Sequence, residues 1–313
     1  MRVLVTGGAG FIGSHVAEGA LAEGHEVAVL DDLSSGKRSN VPAGVPLFEV
    51  DLRNRSAVRE TLAGFKPDLV SHQGAQISVA VSVREAYLDG EVNILGGINL
   101  LDACVALKVK RLVFASTGGA ICGEVPEGQR ADEGWRPAPL SPYAIHKLAF
   151  EQLLDVYRTH HGLESVILRY ANIYGPRQDP HGEAGVVAIF FDTVLAGKTL
   201  RINGKRVEGD GGCLRDYAYV GDAVRANLAA LAGRLPERLM NVCTGSTVST
   251  LDLAREISAV AGVELRTIFA PPRPGDSGRS VLDPARFIAA LGTPLPINEG
   301  LRHTFEWFAK ARR

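Results

Sequence analysis

Residues 1–32, MRVLVTGGAGFIGSHVAEGALAEGHEVAVLDD, carry the reading that decides the architecture of this chain. An apolar, β-branched run at 2–6 ends in glycines, and a stretch of helical spacing follows at 11–22. A second apolar run at 26–30 closes on Asp31 and Asp32. Strand, glycine turn, helix and strand make a βαβ unit, whose two strands lie parallel. Gly8, Gly10 and Gly13 fit GxGxxG, and Gly7, Gly10 and Gly13 fit the GxxGxxG variant. Glycine lets the backbone turn tightly and approach a pyrophosphate closely. The helix that opens at Phe11 and Ile12 offers free N–H groups and its positive dipole end to that anion. Asp31 stands 18 residues beyond Gly13, where a carboxylate can accept from the hydroxyls of an adenosine ribose and would repel a 2′-phosphate. The unit therefore predicts a dinucleotide site that favours NAD over NADP. Asp51, after the third strand, is similarly placed for the adenine end.

Outward from this unit, strand-like runs at 47–50, 68–71, 111–115 and 164–169 alternate with helix-like stretches at 56–65, 84–107 and 142–160. Such alternation predicts an α/β fold, a Rossmann-type doubly wound parallel sheet with helices on both faces. Its ligands bind beyond the carboxyl ends of the strands. The second half is less regular, with helix-like stretches at 186–196, 250–261 and 300–312, a strand-like run at 214–220 and proline-rich loops. It reads as a smaller α/β substrate-binding domain. The expected division is 1–175 plus 217–246 for the NAD-binding domain, and 176–216 plus 247–313 for the substrate domain.

Composition narrows the function. The chain has 313 residues, 46% hydrophobic and 22% charged, which suits a packed globular enzyme. A formal net charge of -1 gives no general attraction to nucleic acid or anionic membrane, so neither is expected as a partner. The four cysteines, Cys104, Cys122, Cys213 and Cys243, show no metal-ligand spacing and read as free thiols of a cytoplasmic protein. The strand that starts at once leaves no room for a signal peptide, and no apolar run is long enough to span a bilayer.

Ser141-Pro142-Tyr143-Ala144-Ile145-His146-Lys147 joins a helix start to a candidate acid/base pair. Ser141 suits the cap and Pro142 the first helical position. Tyr143 and Lys147, four residues apart, share one helical face. A tyrosine of pKa near 10 is a poor base at neutral pH. A neighbouring ammonium and a nicotinamide cation both favour its phenolate. The fifth strand ends in Ser116 and Thr117, hydroxyls able to bond a substrate oxygen while that oxygen exchanges a proton with Tyr143.

Glycine turn, strand-end hydroxyls and YxxxK together resemble the extended short-chain dehydrogenase/reductase family, in its NAD-dependent epimerase/dehydratase branch, through nearly the whole chain. The resemblance implies that Gly7, Gly10, Phe11, Ile12, Gly13, Asp31, Asp51, Leu52, Asn93 and Tyr170 hold or support NAD. Tyr143 would be the catalytic base, Lys147 its partner, and Ser116 and Thr117 the catalytic hydroxyls. Arg169–Arg177 resembles the family's RxxNxYGP signature, Arg215-Asp216-Tyr217 its RD(F/Y) segment and Arg273-Pro274-Gly275-Asp276 its RxGD segment. These imply a nucleotide-sugar substrate gripped by Asn172, Arg215, Arg273 and Asp276, with two arginines matched to a diphosphate.

Within that branch, dehydratases carry an Asp-Glu pair after the catalytic threonine and decarboxylases a Glu, whereas this chain has Gly118 and Gly119. The resemblance then implies a UDP-sugar 4-epimerase that removes hydride from C4 and returns it to the other face. Two departures bear on the sugar: Cys122 replaces the family's tyrosine, and His146 stands where a small Ser or Thr is usual. Ser280, four residues after Asp276, falls at a position whose size the family uses to admit or exclude an N-acetyl group, so the resemblance implies that N-acetylated sugars are tolerated. The helices at 84–107 and 142–160 resemble the pair that forms a four-helix interface, implying a homodimer. A sister reductase or a different epimerase would share the cofactor site; a non-catalytic NAD-binding regulator would be expected to lack Tyr143 or Lys147.

Overall fold

The apolar runs become strands and the amphipathic stretches helices, in a computed structural model that describes residues 1–181, 185–273 and 277–311. The chain opens with β1 (Arg2–Thr6), α1 (Phe11–Ala22), β2 (Glu26–Asp31), β3 (Leu47–Glu49), α2 (Arg55–Phe65) and β4 (Leu69–His72). There follow α3 (Val79–Arg84), α4 (Ala86–Gly90), a π-helical turn at Glu91–Gly96, α5 (Gly97–Ala106) and β5 (Arg111–Thr117). Next come α6 (Gly118–Ile121), α7 (Pro142–His161), β6 (Glu164–Tyr170), β7 (Asn172–Tyr174), α8 (Val186–Leu195) and β8 (Leu200–Asn203). β9 (Leu214–Arg215), β10 (Tyr217–Tyr219), α9 (Val220–Leu231), β11 (Leu239–Val242) and β12 (Val248–Ser249) lead on. The chain closes with α10 (Thr250–Ala261), β13 (Thr267–Ala270), β14 (Arg279–Ser280), α11 (Ala285–Leu291) and α12 (Ile297–Ala311).

The main sheet of the described residues has seven strands in the order β11-β6-β5-β4-β1-β2-β3. β1 pairs in parallel with β2 and with β4, as do β2 with β3 and β4 with β5. This is the doubly wound sheet expected. The chain builds outward from β1 to β3, then returns to lay β4 on the other side of β1. Such a reversal opens a crevice at the carboxyl ends of β1 and β4, where ligands of these sheets bind.

The backbone divides into two compact units. One holds Met1–Thr117, Pro139–Arg169 and Val224–Met240, around a core that includes Leu4, Leu62, Val70, Leu112, Phe114 and Phe150. The other holds Gly118–Ala138, Tyr170–Ala223 and the chain from Asn241. It has three short sheets, β12-β9-β14, β10-β7 and β13-β8, and cores built on Phe190, Phe191, Ile202, Leu253 and Phe308 and on Cys122, Val281 and Leu282. These limits differ from the sequence division chiefly at 118–138. That segment leaves β5 and bonds to residues far along the chain, Val125 N to Arg279 O and Ala131 N to Val281 O. No local pattern reveals a pairing of that range.

The stretch read as one helix at 84–107 is broken. Glu85, at φ -133° and ψ 57°, separates α3 from α4, and the π-helical turn separates α4 from α5. Close packing accompanies the change in winding: a Cβ on Gly97 would lie 2.2 Å from the Phe150 ring, and one on Gly96 would lie 2.9 Å from Leu52. Such turns gather at functional sites. α7 starts as expected, with Ser141 Oγ accepting from Ala144 N at 3.3 Å and Pro142 in the first turn, and it ends on Gly162 at φ +70°. The four cysteines are free thiols, and among the described residues no helix is long and apolar enough to cross a membrane.

Candidate active site

The glycine turn follows β1. Gly7 adopts φ +65°, its N–H donates to Leu30 O at 2.8 Å, and a Cβ there would lie 2.5 Å from Gly74 N. A Cβ on Gly13 would lie 2.1 Å from Gly7 O, so glycine alone lets α1 sit against the turn. Gly10 caps α1 with no side-chain bond, which keeps the first-turn N–H groups at Phe11 and Ile12 for an anion. Asp31 is buried at the end of β2 and accepts from Ala9 N and Leu33 N, both at 2.9 Å. Burial pushes its carboxyl up, and those two N–H bonds oppose the shift. Bare helix start, glycine cradle and strand-end carboxylate together fit the pyrophosphate and ribose of NAD.

Asp51 carries a bidentate partner in this structure. Arg53 Nε and Nη2 grip its carboxylate at 2.9 and 2.6 Å, and the hydrogen bond holds it below the usual carboxylate range. Leu52 is buried in the core beneath, its carbonyl accepting from Asn99 Nδ2 at 2.9 Å. Asn93, on the π-helical turn, clasps the loop after β4: its Oδ1 accepts from Gln76 N at 3.0 Å and its Nδ2 donates to Gln76 O at 2.9 Å.

The structure brings the candidate acid/base pair, Tyr143 and Lys147, to the carboxyl end of β5. Tyr143 lies in the first turn of α7, and Lys147 is buried one turn on. Lys147 Nζ donates to Ala115 O at 2.9 Å and lies 4.7 Å from the centre of the Phe114 ring and 5.9 Å from that of Tyr143. Burial lowers its pKa to about 8, with the negative charges of Asp89 and Glu151 opposing. Lys147 is thus a cation at neutral pH, and a cation beside a phenol stabilises the phenolate. Ser116 is committed inward: its Oγ donates to Glu151 Oε1 at 2.5 Å. The Glu151 carboxylate also takes Arg169 Nε at 3.0 Å and Nη2 at 2.6 Å, all of it buried. Thr117 is half-buried at the strand end.

Three expected substrate residues, Asn172, Arg215 and Arg273, fall in the second unit with Tyr170. Tyr170 is buried at the end of β6, and Asn172 on β7 donates from Nδ2 to Asp216 O at 2.9 Å. Arg215 lies opposite Ser280 in the parallel β9–β14 ladder. Ser280 is buried, with Oγ 3.3 Å from Gly119 O. Arg273 is exposed, and Asp276 lies outside the described residues.

The sequence reading missed the buried carboxylates. Asp216 accepts from Thr244 N and Oγ1 at 3.0 and 2.7 Å and from Gly245 N at 2.9 Å, which staples Arg215 and Asn172 to the next loop. Glu151 lies four residues beyond Lys147 on the same face of α7, a spacing that could have marked it. Asp89 carries no such signal.

A glycine turn before a bare helix start, a strand-end carboxylate and a Tyr–Lys pair, all at the carboxyl ends of one sheet's strands, fit a nicotinamide-dependent enzyme. The chain belongs to the NAD dependent epimerase/dehydratase family, whose model matches residues 3–243. It resembles a UDP-glucose 4-epimerase of Mycolicibacterium smegmatis, 40% identical over 314 residues covering 98% of each chain. Among solved structures it superposes on the UDP-glucose 4-epimerase of Thermus thermophilus in complex with NAD, at a TM-score of 0.95 and 54% identity. That match covers 99% of this chain and all of the other. The Thermotoga maritima UDP-glucose 4-epimerase with UDP-glucose gives a TM-score of 0.93 at 40% identity, over the full length of both chains.

Proposed function

We propose that this chain interconverts UDP-glucose and UDP-galactose by transient oxidation at C4. The Tyr143–Lys147 pair carries the reading, because Gly118 and Gly119 follow Thr117 where elimination or decarboxylation would need a carboxylate. Bound NAD supplies the acceptor for the C4 hydride and the donor that returns it. Tyr143 takes the proton of the 4-hydroxyl and later gives it back. Lys147, held by Ala115 O, keeps a positive charge beside the phenol. Thr117 bonds the sugar oxygen, since the Ser116 hydroxyl is spent on Glu151. Gly7, Gly10, Phe11, Ile12 and Gly13 hold the cofactor pyrophosphate and Asp31 its ribose. Asp51, Leu52 and Asn93 frame the adenine end and the loop after β4, and Tyr170 lies toward the nicotinamide. Arg215 and Arg273 meet the substrate diphosphate, Asn172 the sugar side of it and Asp276 the uridine ribose.

Buried, small Ser280 supports passage of N-acetylated UDP-sugars as well. Exposed Tyr87, Leu95, Ile145 and Val156 on the broken 84–107 stretch and on α7 support a homodimer formed through those helices. Four free thiols and use of NAD support a cytoplasmic enzyme. The test is incubation of the purified protein with UDP-galactose and separation of the sugar nucleotides. Formation of UDP-glucose supports the reading, and an unchanged UDP-galactose peak with NAD supplied overturns it.

A further inference from the structure

Asp89 lies on α4 with no exposed surface. An ionised carboxylate only accepts hydrogen bonds, and a buried one is costly unless each oxygen has a donor. Oδ1 takes a bond from His146 Nδ1 and Oδ2 one from Gln76 Nε2, each at 2.5 Å. His146 directly precedes Lys147 on α7. Gln76 belongs to the loop after β4, whose main chain Asn93 clasps. In the same loop, Gly74 N donates to Thr6 Oγ1 at 3.2 Å and packs against Gly7 of the glycine turn. One buried carboxylate therefore joins the helix bearing Tyr143 and Lys147 to the loop that backs the cofactor turn.

We propose that Asp89 is a positioning residue of the reaction, which locks the catalytic helix to the loop after β4 and places a negative charge where Lys147 needs one. This rests on the epimerase reading above. Asp89 comes first among the charges that oppose the effect of burial on Lys147, ahead of Glu151. Glu151 is already shared with the Arg169 guanidinium of β6 and with Ser116 of β5, whereas Asp89 is held by Gln76 and by His146, which carries charge only when protonated. Other groups near Lys147 contribute little. His72 on β4 is buried and stays neutral, pushed down to about 3, and the Cys104 thiol on α5 is pushed up out of range by burial. Arg84 on α3, Glu91 on the π-helical turn and Asp102 on α5 are paired with Glu85, Arg53 and Arg55 at the surface. Tyr143 and His146 share α7 with Lys147.

Asp89→Asn separates charge from contact, because an asparagine can accept from Gln76 and donate to His146 Nδ1. On the holoenzyme, the alkaline inflection of kcat is expected to move down by about one unit. A urea midpoint measured against pH, which needs no turnover, is expected to begin its alkaline rise about one unit lower as well. Thus failure of the substrate reading leaves this test intact. Gln76→Ala keeps the Asp89 charge and cuts the tether. It is expected to leave the inflection in place while NAD retained on purification falls roughly threefold or more. An Asp89→Asn enzyme whose inflection and stability profile stay where the parent has them overturns the proposal. So does a Gln76→Ala enzyme that retains NAD fully, and this variant decides alone where Asp89→Asn does not yield folded holoenzyme.

Discussion

Replacing Arg169 by methionine isolates the Glu151 carboxylate in the core of the cofactor unit. The two side chains are 9% and 7% exposed, and two guanidinium bonds at 3.0 and 2.6 Å hold the acid. Without Arg169, the Ser116 hydroxyl still donates, but to a charge that water hardly reaches. Breaking a buried pair on one side costs about 3–5 kcal/mol, whereas replacing both partners with apolar residues of similar volume is often neutral. The single Arg169→Met variant should therefore lose about 3–5 kcal/mol, and Glu151→Met/Arg169→Met should stand within about 2 kcal/mol of the parent. With a denaturant slope of about 3 kcal/mol per molar urea, the single variant unfolds at least about 1 M earlier. Urea unfolding followed by circular dichroism reads both. A single variant within about 1 kcal/mol of the parent, or a double variant that loses the sum of the two singles, would refute the reasoning.

The pH response of Lys147 has a definite sign. Burial takes it from 10.5 to about 8, so the cation that supports Tyr143 is lost, and turnover falls, as pH rises through about 8. A folded pKa below the unfolded one means the folded chain binds fewer protons between those values. The burial cost is fully felt below about 8, and the urea midpoint should climb from there to about 10.5. Gly13→Ala puts a methyl 2.1 Å from Gly7 O, so NAD released by acid from the purified variant should fall at least about tenfold per chain. Ser280→Leu fills a buried site beside Gly119 O, and it should cut conversion of UDP-N-acetylgalactosamine at least about tenfold more than that of UDP-galactose. Equal losses on the two sugars would remove Ser280 from specificity.

The glycine turn, its flanking strands and the start of α7 were legible because their determinants are local. Apolar runs bounded by glycine make β1 and β2, the turn between them needs the φ and the contact radius of glycine, and Ser141-Pro142 announces α7. The π-helical turn was not legible, since one continuous helix-like pattern covers 84–107 and the extra winding falls where Phe150 and Leu52, distant in the chain, pack on Gly97 and Gly96. Nor was the grouping of residues 118–138 with the second unit, which depends on bonds from Val125 and Ala131 to Arg279 and Val281. Glu151, four residues beyond Lys147 on α7, had a spacing that could have marked it, but the buried carboxylates Asp89 and Asp216 escaped for the same reason as that grouping. Their partners come from elsewhere in the chain, so nothing beside them in the sequence shows whether they face water or buried donors.

The fate of the hydrogen on C4 tests the central claim most directly. UDP-galactose deuterated at C4 is converted without added cofactor, and the UDP-glucose formed is examined by mass spectrometry and NMR. Hydride removal and return within one pocket leaves the deuterium on C4 of the product, and Tyr143→Phe abolishes or severely slows its formation. Deuterium washed out to solvent, or product formed undiminished by Tyr143→Phe, would contradict the account.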